Sequence, residues 1–298
     1  MVNKKKLVAR IKGGLGNQLF CYAAARRLAI VNNATLVLDD VSGFLRDFKY
    51  QRKYSLDKFY IPIGVASSNE RLGPFPRILR RILRMLSRFN LCDRFNYIYQ
   101  EYEDFDSRIL DIKIIKYAYI DGLWQSEDYF KDVEDVIRQD LRIKQPIDIE
   151  NLSMAAKIEN CNSVALHVRW FNNGYEDLDS SNLSMEYYNS AIEKINTLIN
   201  NPHFFIFSDK PFDASLMLNL SHDKFTLVTH NSQESMAYAD LWLMSLCKYF
   251  IIANSTFSWW GAWLGNFKSK IVIAPSLNIT GVGSWGFKGL IPKDWIKV

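Results

Sequence analysis

Small hydroxyl and amide side chains follow an apolar run near the end of this chain and suit the binding of a phosphate group. The cluster directly follows residues 250–253 and comprises Asn254, Ser255, Thr256 and Ser258. In an open α/β sheet, ligands bind beyond the carboxyl ends of the strands. Hydroxyl groups and the N–H groups that open a following helix attract an anion there. A simple helix N-cap would use the same residue types, so the assignment depends on the rest of the chain.

Three tryptophans come next in the sequence: Trp259, Trp260 and Trp263. Residues three and four positions apart lie on one face of a helix. We therefore predict that the tryptophans pack this helix onto the core and do not contact a ligand.

A second cluster is rich in glycine and joins an apolar run at 7–11 to a helical pattern at 19–31. It comprises Gly13, Gly14, Gly16, Asn17 and Gln18. Glycines at such a turn let the backbone approach a ligand, and the start of a helix favours a negative charge. The dinucleotide fingerprint would need a glycine where Leu19 stands, which argues against a dehydrogenase, and the cluster also lacks the Gly-Lys-Ser/Thr of a phosphate-binding Walker loop. A tight turn without a ligand is the alternative explanation.

A histidine and an arginine end a third apolar run, at residues 163–169. His167 and Arg169 are two positions apart, so they lie on the same face of a strand. The planar guanidinium group can hold a diphosphate through two parallel hydrogen bonds. A structural salt bridge would explain the same arginine.

An acidic loop follows this strand and holds three carboxylates suited to general base catalysis: Glu176, Asp177 and Asp179. Asp177 and Asp179 also match an Asp-x-Asp string of the kind that can bind a metal. A near-copy of the loop at 102–107 shows how easily the string arises, and two carboxylates alone specify a metal poorly. We therefore predict that the protein uses no metal.

Two other positions pair a carboxylate with a predicted strand or helix end. Ser208 and Asp209 follow residues 204–207, and Asp240 lies in a helical segment ahead of the Asn254 cluster. A carboxylate can accept two parallel hydrogen bonds from the N1–H and N2–H edge of guanine. Charge compensation at a helix N-terminus would need no ligand.

The elements that must position these clusters alternate between strands and helices. Strands are predicted at 7–11, 35–38, 117–122, 163–169, 204–207, 225–228, 250–253 and 271–274, and helices at 19–31, 126–141, 186–198 and 235–247. Alternation of this kind is typical of parallel sheets. With a linker at 146–150, the pattern predicts an α/β protein of two successive parallel-sheet units facing across a cleft.

One segment carries the whole basic excess of the chain, whose net charge is +5. Residues 71–92 include six arginines and no acidic residue. From Arg77 onward the segment has a helical pattern, with Ile78, Ile82, Leu86 and Phe89 on one side and arginines on the other. We consider a helix at 77–89 that lies on an anionic membrane surface, or a solvated helix that covers a core. Nucleic acid is not expected, because nothing else in the chain is basic.

Cysteine usage and hydropathy indicate the compartment. Cys21, Cys92, Cys161 and Cys247 are widely spaced and match neither a CxxC motif nor a disulfide framework. The chain has no uncharged apolar run of about 18 residues, so no transmembrane helix is expected. We predict a reduced, cytoplasmic protein, peripheral on the inner face of the membrane if the arginine-rich helix binds lipid.

In combination, the glycine-rich cluster, His167-Val168-Arg169, Phe207-Ser208-Asp209 and residues 254–261 resemble the bacterial α-1,2-fucosyltransferase family, glycosyltransferase family 11. The resemblance implies a GT-B fold of two Rossmann-type domains facing across a cleft. It also implies inverting transfer of L-fucose from GDP-β-L-fucose to the 2-hydroxyl of a terminal galactose. The acceptor would be an oligosaccharide or a lipid-linked glycan of O-antigen type, and no cofactor is implied.

The resemblance assigns roles to residues and to domains. Arg169 would hold the β-phosphate with His167 beside it, Ser255 and Thr256 would bind phosphate, and Asp240 would read guanine. Gly14, Gly16, Asn17 and Gln18 would face the donor from an acceptor-side domain at 1–150, which carries the arginine-rich insertion at about 71–94. Residues 151–298 would bind the GDP-sugar.

The chain departs from the family pattern at one place. The family has a second arginine after the histidine motif, where this chain has Trp170. The departure leaves open which of Glu176, Asp177 and Asp179 is the base. It also leaves two alternatives open: the same fold acting with a different GDP-sugar or linkage, and an inactive nucleotide-sugar-binding protein.

Overall fold

The computed structural model describes residues 4–71, 76–88, 95–171, 182–218, 220–279 and 284–298. The chain divides into two compact α/β units. The first comprises Met1–Arg142 with Lys288–Leu290, and the second comprises Ile143–Phe287 with Ile291–Val298. This division falls a few residues before the expected end of the first domain at residue 150, because the helix that begins at Ile149 packs within the second unit.

The first unit is built on four parallel strands. Its elements are β1 (Lys5–Arg10), α1 (Leu15–Asn32), β2 (Ala34–Asp39), α2 (Pro76–Arg88), β3 (Phe95–Tyr99), β4 (Tyr117–Asp121) and α3 (Glu134–Asp140). The strand order is β2-β1-β4-β3. Both faces of a parallel sheet are covered, so the middle of its central strand β1 is apolar and buried, at Leu7, Val8 and Ala9.

The second unit has six parallel strands. Its elements are α4 (Ile149–Glu159), β5 (Asn162–Val168), α5 (Met185–Leu198), β6 (Pro202–Ser208), α6 (Pro211–Leu218), β7 (Phe225–Leu227), α7 (Ala237–Leu246), β8 (Tyr249–Ile251), α8 (Thr256–Leu264), β9 (Ile271–Ala274) and β10 (Ile296–Lys297). The strand order is β10-β9-β8-β5-β6-β7. The chain therefore runs outward from β5 in one direction and then from β8 in the other, which makes the β5–β8 pair the point of reversal.

The predicted parallel-sheet architecture is confirmed, but two local predictions are wrong and one strand was missed. Residues 126–141 are not one helix: two short 3-10 turns precede α3, and Phe130 between them leaves the helical conformation, with a φ of −145° and a ψ of 7°. This break lets both Tyr129 and Phe130 enter the core. The linker expected at 146–150 already contains the start of α4, which Asp148 caps by accepting a hydrogen bond from the backbone N–H of Asn151. The strand β3 was not predicted at all.

The arginine-rich segment does form a helix, α2, and Ile78 and Ile82 do not cover a core as one of the two alternatives required. Ile78 and Ile82 are exposed, whereas Arg84 lies with its guanidinium carbon 3.5 Å from the centre of the Tyr99 ring. The residue that packs onto the sheet is Leu83. Phe89 lies outside the described residues. Among the helices that the structure describes, none is long and apolar enough to span a bilayer.

Candidate functional site

The richest group of predicted residues lies at the point of reversal in the second sheet. The register pairs Leu166 of β5 with Ile251 of β8, so the carboxyl ends of the two strands are adjacent. His167 and Arg169 leave this edge from β5, and Ser255 and α8 leave it from β8. In sheets that reverse in this way, the crevice at the reversal is the usual place for a ligand.

A direct hydrogen bond joins the two strand ends. The Nδ1 atom of His167 lies 2.9 Å from the hydroxyl oxygen of Ser258, in the first turn of α8. The same hydroxyl lies 3.3 Å from the backbone carbonyl of Ser255. The imidazole ring is also 5.8 Å from the ring of Phe257. The start of α8 is therefore fixed against the end of β5.

The imidazole of His167 is neutral at ordinary pH. Burial, and then the nearby charge of Arg169, lower the pKa of His167 to about 3. A neutral imidazole adds no positive charge to the site, and a base this weak removes no proton near neutral pH. The cationic group that the site offers beside His167 is Arg169.

Arg169 is held in place by a carboxylate from the neighbouring strand. Its guanidinium nitrogen lies 3.1 Å from Asp209, and the two side chains are 34% and 33% exposed. The other oxygen of Asp209 accepts a hydrogen bond from the backbone N–H of Trp170 at 3.1 Å. The salt bridge that the sequence left as an alternative therefore exists. Because the pair is only partly buried, its own contribution to stability is small, and its clearer consequence is that it orients Arg169.

Ser255 is the N-cap of α8. Its hydroxyl accepts a hydrogen bond from the backbone N–H of Phe257 at 3.3 Å. Asn254 is buried just before it, and Thr256 is the first residue of the helix. The simple capping explanation of this cluster is thus correct. Since the capped terminus lies at the strand edge, its dipole also gives that edge a partial positive charge.

The three tryptophans of α8 are buried, as predicted. Trp259 and Trp260 are fully buried, with ring centres 5.0 Å apart, and Trp263 lies 5.1 Å from Trp260. Between them, Gly261 approaches α7 closely, because a Cβ atom there would lie 3.0 Å from Cβ of Met244. Gly261 thus packs α8 against α7, the helix that carries Asp240.

Asp240 lies in the first turn of α7 and is partly buried. Its Oδ1 atom accepts a 2.8 Å hydrogen bond from the side-chain amide of Asn231. Burial raises the pKa of Asp240 to about 7, and the hydrogen bond from Asn231 opposes that rise. The carboxyl group therefore titrates close to neutral pH, where it can switch between donating and accepting a hydrogen bond.

Sequence reasoning missed the asparagines behind Asp240. Asn231 and Asn151 exchange two side-chain hydrogen bonds, of 2.9 and 3.0 Å, and both are buried. Asn151 also donates to Asp148, and its Oδ1 atom lies 3.1 Å from Nε2 of His230. The two asparagines are 80 positions apart in sequence, so no local pattern could have shown the pair.

The glycine-rich cluster lies in the first unit, and α1 begins inside it. Gly13 has a φ of +79°, which favours glycine, and α1 starts at Leu15. Gln18 is buried. Its amide donates to the carbonyls of Gly13 (3.0 Å) and Lys53 (2.8 Å), and its oxygen accepts from the N–H of Ser55 (2.9 Å). The structure thus shows that Gln18 stabilises the loop. Its contact with the donor substrate remains a prediction.

The remaining predicted residues make local hydrogen bonds or lie outside the described residues. Asn17 accepts a 2.8 Å hydrogen bond from Gln125, and Ser208 caps the turn to Lys210. Glu176, Asp177 and Asp179 lie outside the described residues. In the described parts of the chain, no group of three or more His, Cys, Asp or Glu side chains could hold a metal ion.

Solved structures with the same architecture place this fold in a class. Over 88% of this chain and 92% of the other, it is similar to NodZ α-1,6-fucosyltransferase from Bradyrhizobium soaked with GDP-fucose, with a TM-score of 0.54 and 16% identity. Over 90% of this chain and 70% of the other, it is similar to Arabidopsis thaliana FUT1 in complex with GDP, with a TM-score of 0.55 and 13% identity. These likenesses show the fold, which is that of GT-B-like glycosyltransferases.

The sequence then gives the family. The model of glycosyl transferase family 11 matches residues 7–280, and the chain belongs to that family. It is 34% identical to an α-1,2-colitosyltransferase of Escherichia coli, over 91% of each chain. It is 31% identical to the O-antigen biosynthesis glycosyltransferase WbnK of Escherichia coli, over 89% of this chain and 92% of the relative.

Proposed function

We propose that the protein is an inverting α-1,2-fucosyltransferase that moves L-fucose from GDP-β-L-fucose to the 2-hydroxyl of a terminal galactose in a surface glycan. The observation that carries the proposal is the hydrogen bond between His167 and Ser258. This bond joins the end of β5, which carries Arg169, to the start of α8. The two elements meet at the β5–β8 pair, where the sheet of this family 11 chain reverses direction.

The proposed reaction is a single displacement at the anomeric carbon of fucose. The galactose 2-hydroxyl oxygen forms a bond to this carbon, and the bond from the carbon to the β-phosphate oxygen breaks. GDP leaves with the electron pair, and the hydroxyl proton passes to a carboxylate base. Attack from the face opposite the diphosphate converts the β-linkage of the donor into an α-linkage in the product.

Arg169 and the N-terminus of α8 stabilise the charge that develops on the leaving diphosphate. Groups fixed in advance where charge develops lower a barrier without reorganising during the reaction. Asp209 supplies that fixing for Arg169. His167 is neutral and orients Ser258 instead of carrying charge. Since no cofactor enters this scheme, the GDP-sugar is the donor substrate and protein groups take the place of a metal.

The base is proposed to be one of Glu176, Asp177 and Asp179. The low pKa of His167 makes that residue unsuitable as the base, which leaves the acidic loop after Arg169 as the nearest source of carboxylates in sequence. Single substitutions to Asn or Gln, with GDP binding measured alongside turnover, would identify the residue. The base variant should lose turnover and keep GDP affinity.

Asp240 is proposed to read guanine. As a carboxylate it accepts two hydrogen bonds from the Watson–Crick edge of that base, which adenine does not offer. The proposed contacts of Gly14, Gly16, Asn17 and Gln18 with the donor belong to the other unit of the chain and remain part of the same proposal.

A different donor is the second candidate. The 34% identity to a colitosyltransferase favours it. Colitose is fucose without the 3-hydroxyl group, so the two donors differ by one polar contact. A site built to bond that hydroxyl rejects the deoxy sugar strongly, whereas a site that lacks such a contact discriminates weakly.

Transfer assays with purified protein separate these candidates. GDP-fucose and GDP-colitose are each supplied with β-galactosyl acceptors and EDTA, and NMR assigns the linkage of the product. The expected result is a fucosyl-α-1,2-galactose product in EDTA. A product from GDP-colitose alone, or another linkage, would establish the alternative. GDP binding without turnover on any galactosyl acceptor would indicate an inactive binding protein.

We further propose that the protein acts in the cytoplasm on intermediates of O-antigen type. Free thiols at Cys21, Cys161 and Cys247 and the 31% identity to WbnK support this. Fractionation of cells that express the tagged chain tests the location, and recovery in an oxidising compartment would contradict it.

A further inference from the structure

Among the side chains of α2 that the structure describes, Leu83 and Arg84 attach the helix to the first sheet. Leu83 packs against the buried cluster of Val8, Ala66, Tyr97 and Tyr119. Arg84 covers the ring of Tyr99, with its guanidinium carbon 3.5 Å from the ring centre. This is a cation–π contact. The inner face of α2 therefore includes Leu83 and Arg84, and the buried Nη1 atom of Arg80 lies on the same side.

The opposite face of α2 presents large apolar side chains to solvent. Ile78, Ile82 and Met85 are 61%, 43% and 58% exposed. They are spaced four and three residues apart, so they form one stripe along the helix. Arg81 is exposed on the same side of the helix. Contiguous apolar patches of this kind on a soluble surface mark a contact site.

The charge of the segment indicates what covers the stripe. Residues 71–92 contain six arginines and no acidic residue. Arg71 pairs with Asp40 and Arg84 lies on Tyr99, whereas Arg81 is exposed. An occupant must therefore tolerate a positive charge beside an apolar stripe. An anionic bilayer surface offers both, because phosphate headgroups lie directly above an apolar layer. A groove on a partner protein would need acidic residues at its rim to match the positive charge of α2.

From this geometry we infer that α2 is a membrane-docking helix whose stripe of Ile78, Ile82 and Met85 enters an anionic bilayer surface while Arg81 contacts lipid phosphates. The docking role is independent of the donor and acceptor proposed above. It makes specific the membrane alternative considered for residues 77–89 from the sequence, in which the apolar residues share one side of the helix and the arginines the other. Here the apolar side chains insert, and Arg84 is held away by Tyr99.

Vesicle co-sedimentation tests the inference on the full-length chain. The probes are vesicles of phosphatidylcholine alone and of phosphatidylcholine with an equal part of phosphatidylglycerol. The wild type should bind the mixed vesicles at low salt at least tenfold more tightly than the neutral ones. Changing all three stripe residues, Ile78→Ser, Ile82→Ser and Met85→Ser, should reduce binding at least tenfold, and Arg81→Glu should reduce it severalfold.

A matched control changes three exposed apolar residues of the second unit, Ile147→Ser, Phe212→Ser and Leu216→Ser. It should bind vesicles like the wild type. Thermal unfolding and GDP binding should be unchanged in the stripe variant, which separates lost docking from lost folding and from failure of the proposed transferase activity. Equal vesicle binding by wild type and stripe variant would overturn the inference. So would a wild-type dimer, seen by sedimentation in the absence of lipid, that the stripe variant loses.

Discussion

The side-chain amide of Asn231 donates a 2.8 Å hydrogen bond to Oδ1 of Asp240. Asn231 cannot rotate freely, because it exchanges two further hydrogen bonds with the buried Asn151. The carboxyl group on α7 is therefore oriented by a residue that is itself fixed from the start of α4. A carboxylate accepts at about four positions, so this contact leaves room for two more donors.

GDP affinity should depend on pH through Asp240. The pKa of Asp240 is raised to about 7 by burial, and only the carboxylate can accept both guanine N–H groups. We expect the Kd for GDP to fall as pH rises from 6 to 8, and binding near pH 6.5 to release a proton. Calorimetry in buffers of different ionisation enthalpy measures both quantities.

The control for this prediction is Asn231→Leu. It removes the hydrogen bond that opposes the raised pKa, so the profile should move to higher pH. Asp240→Asn should abolish the pH dependence and weaken the preference for GDP over ADP. A wild-type Kd that stays constant from pH 6 to 8 would exclude Asp240 as the guanine-reading group.

Asp240→Asn should also make the ligand-free protein more stable at alkaline pH. In the folded state Asp240 keeps its proton up to about pH 7, whereas in the unfolded chain an aspartate releases it near pH 4. The folded protein thus binds more protons in this window, and its stability falls as pH rises through it. The asparagine variant avoids that loss and can still accept from Asn231. Its Tm should exceed that of the wild type at pH 8 and approach it at pH 4. An equal Tm difference at both pH values would contradict this explanation.

The sequence predicted the second sheet well and the site around Asp240 poorly, for a physical reason. Parallel strands such as β5 and β6 are continuous apolar runs, which are visible locally. By contrast, the pairing of Asn151 with Asn231 depends on how α4 packs against the segment between β7 and α7, and no local spacing reports it. The strand β3 was missed because Asn96 interrupts its apolar pattern beside the arginine-rich segment.

The periodicity of apolar residues was also insufficient to predict how α2 packs. It separates the helix into faces, but it does not say which face meets the sheet. The structure places Arg84 toward the sheet because the Tyr99 ring gives a guanidinium group a favourable surface. Ile78 and Ile82, which a core-covering helix would bury, are exposed.

Arg169 should contribute to transition-state stabilisation more than to GDP-sugar binding. Arg169→Ala should lower kcat by about 100-fold to 1,000-fold, the usual loss when one oxyanion-stabilising donor is removed. Arg169→Lys should restore only part of the rate, since lysine keeps the charge and loses the planar fork. Steady-state kinetics with GDP-fucose as donor measures both variants.

Asp209→Asn is the matched control for Arg169. It keeps the size of the side chain and weakens the 3.1 Å ion pair, so Arg169 is retained but less firmly oriented. Its kcat should fall far less than that of Arg169→Ala. If the Asp209 and Arg169 variants lost the same activity, Arg169 would act only as a structural partner of Asp209.

Replacing Gly261 by a residue with a side chain should destabilise the packing of α8 against α7. A Cβ atom there would lie 3.0 Å from both Cβ and Sδ of Met244, and the Cβ atom cannot move without the backbone of α7. We expect Gly261→Ala to lower the free energy of unfolding by about 1–3 kcal/mol, as overpacking of a core usually does. Met244→Ala in the same chain should recover part of the loss, because it removes the Sδ contact. Denaturant unfolding of the two single variants and the double variant gives the coupling energy. Strictly additive losses would show that the two helices do not meet at this pair.

Because α7 carries Asp240 and α8 carries Ser258, Gly261→Ala should also weaken GDP binding, and the Met244→Ala change should restore it in parallel with stability.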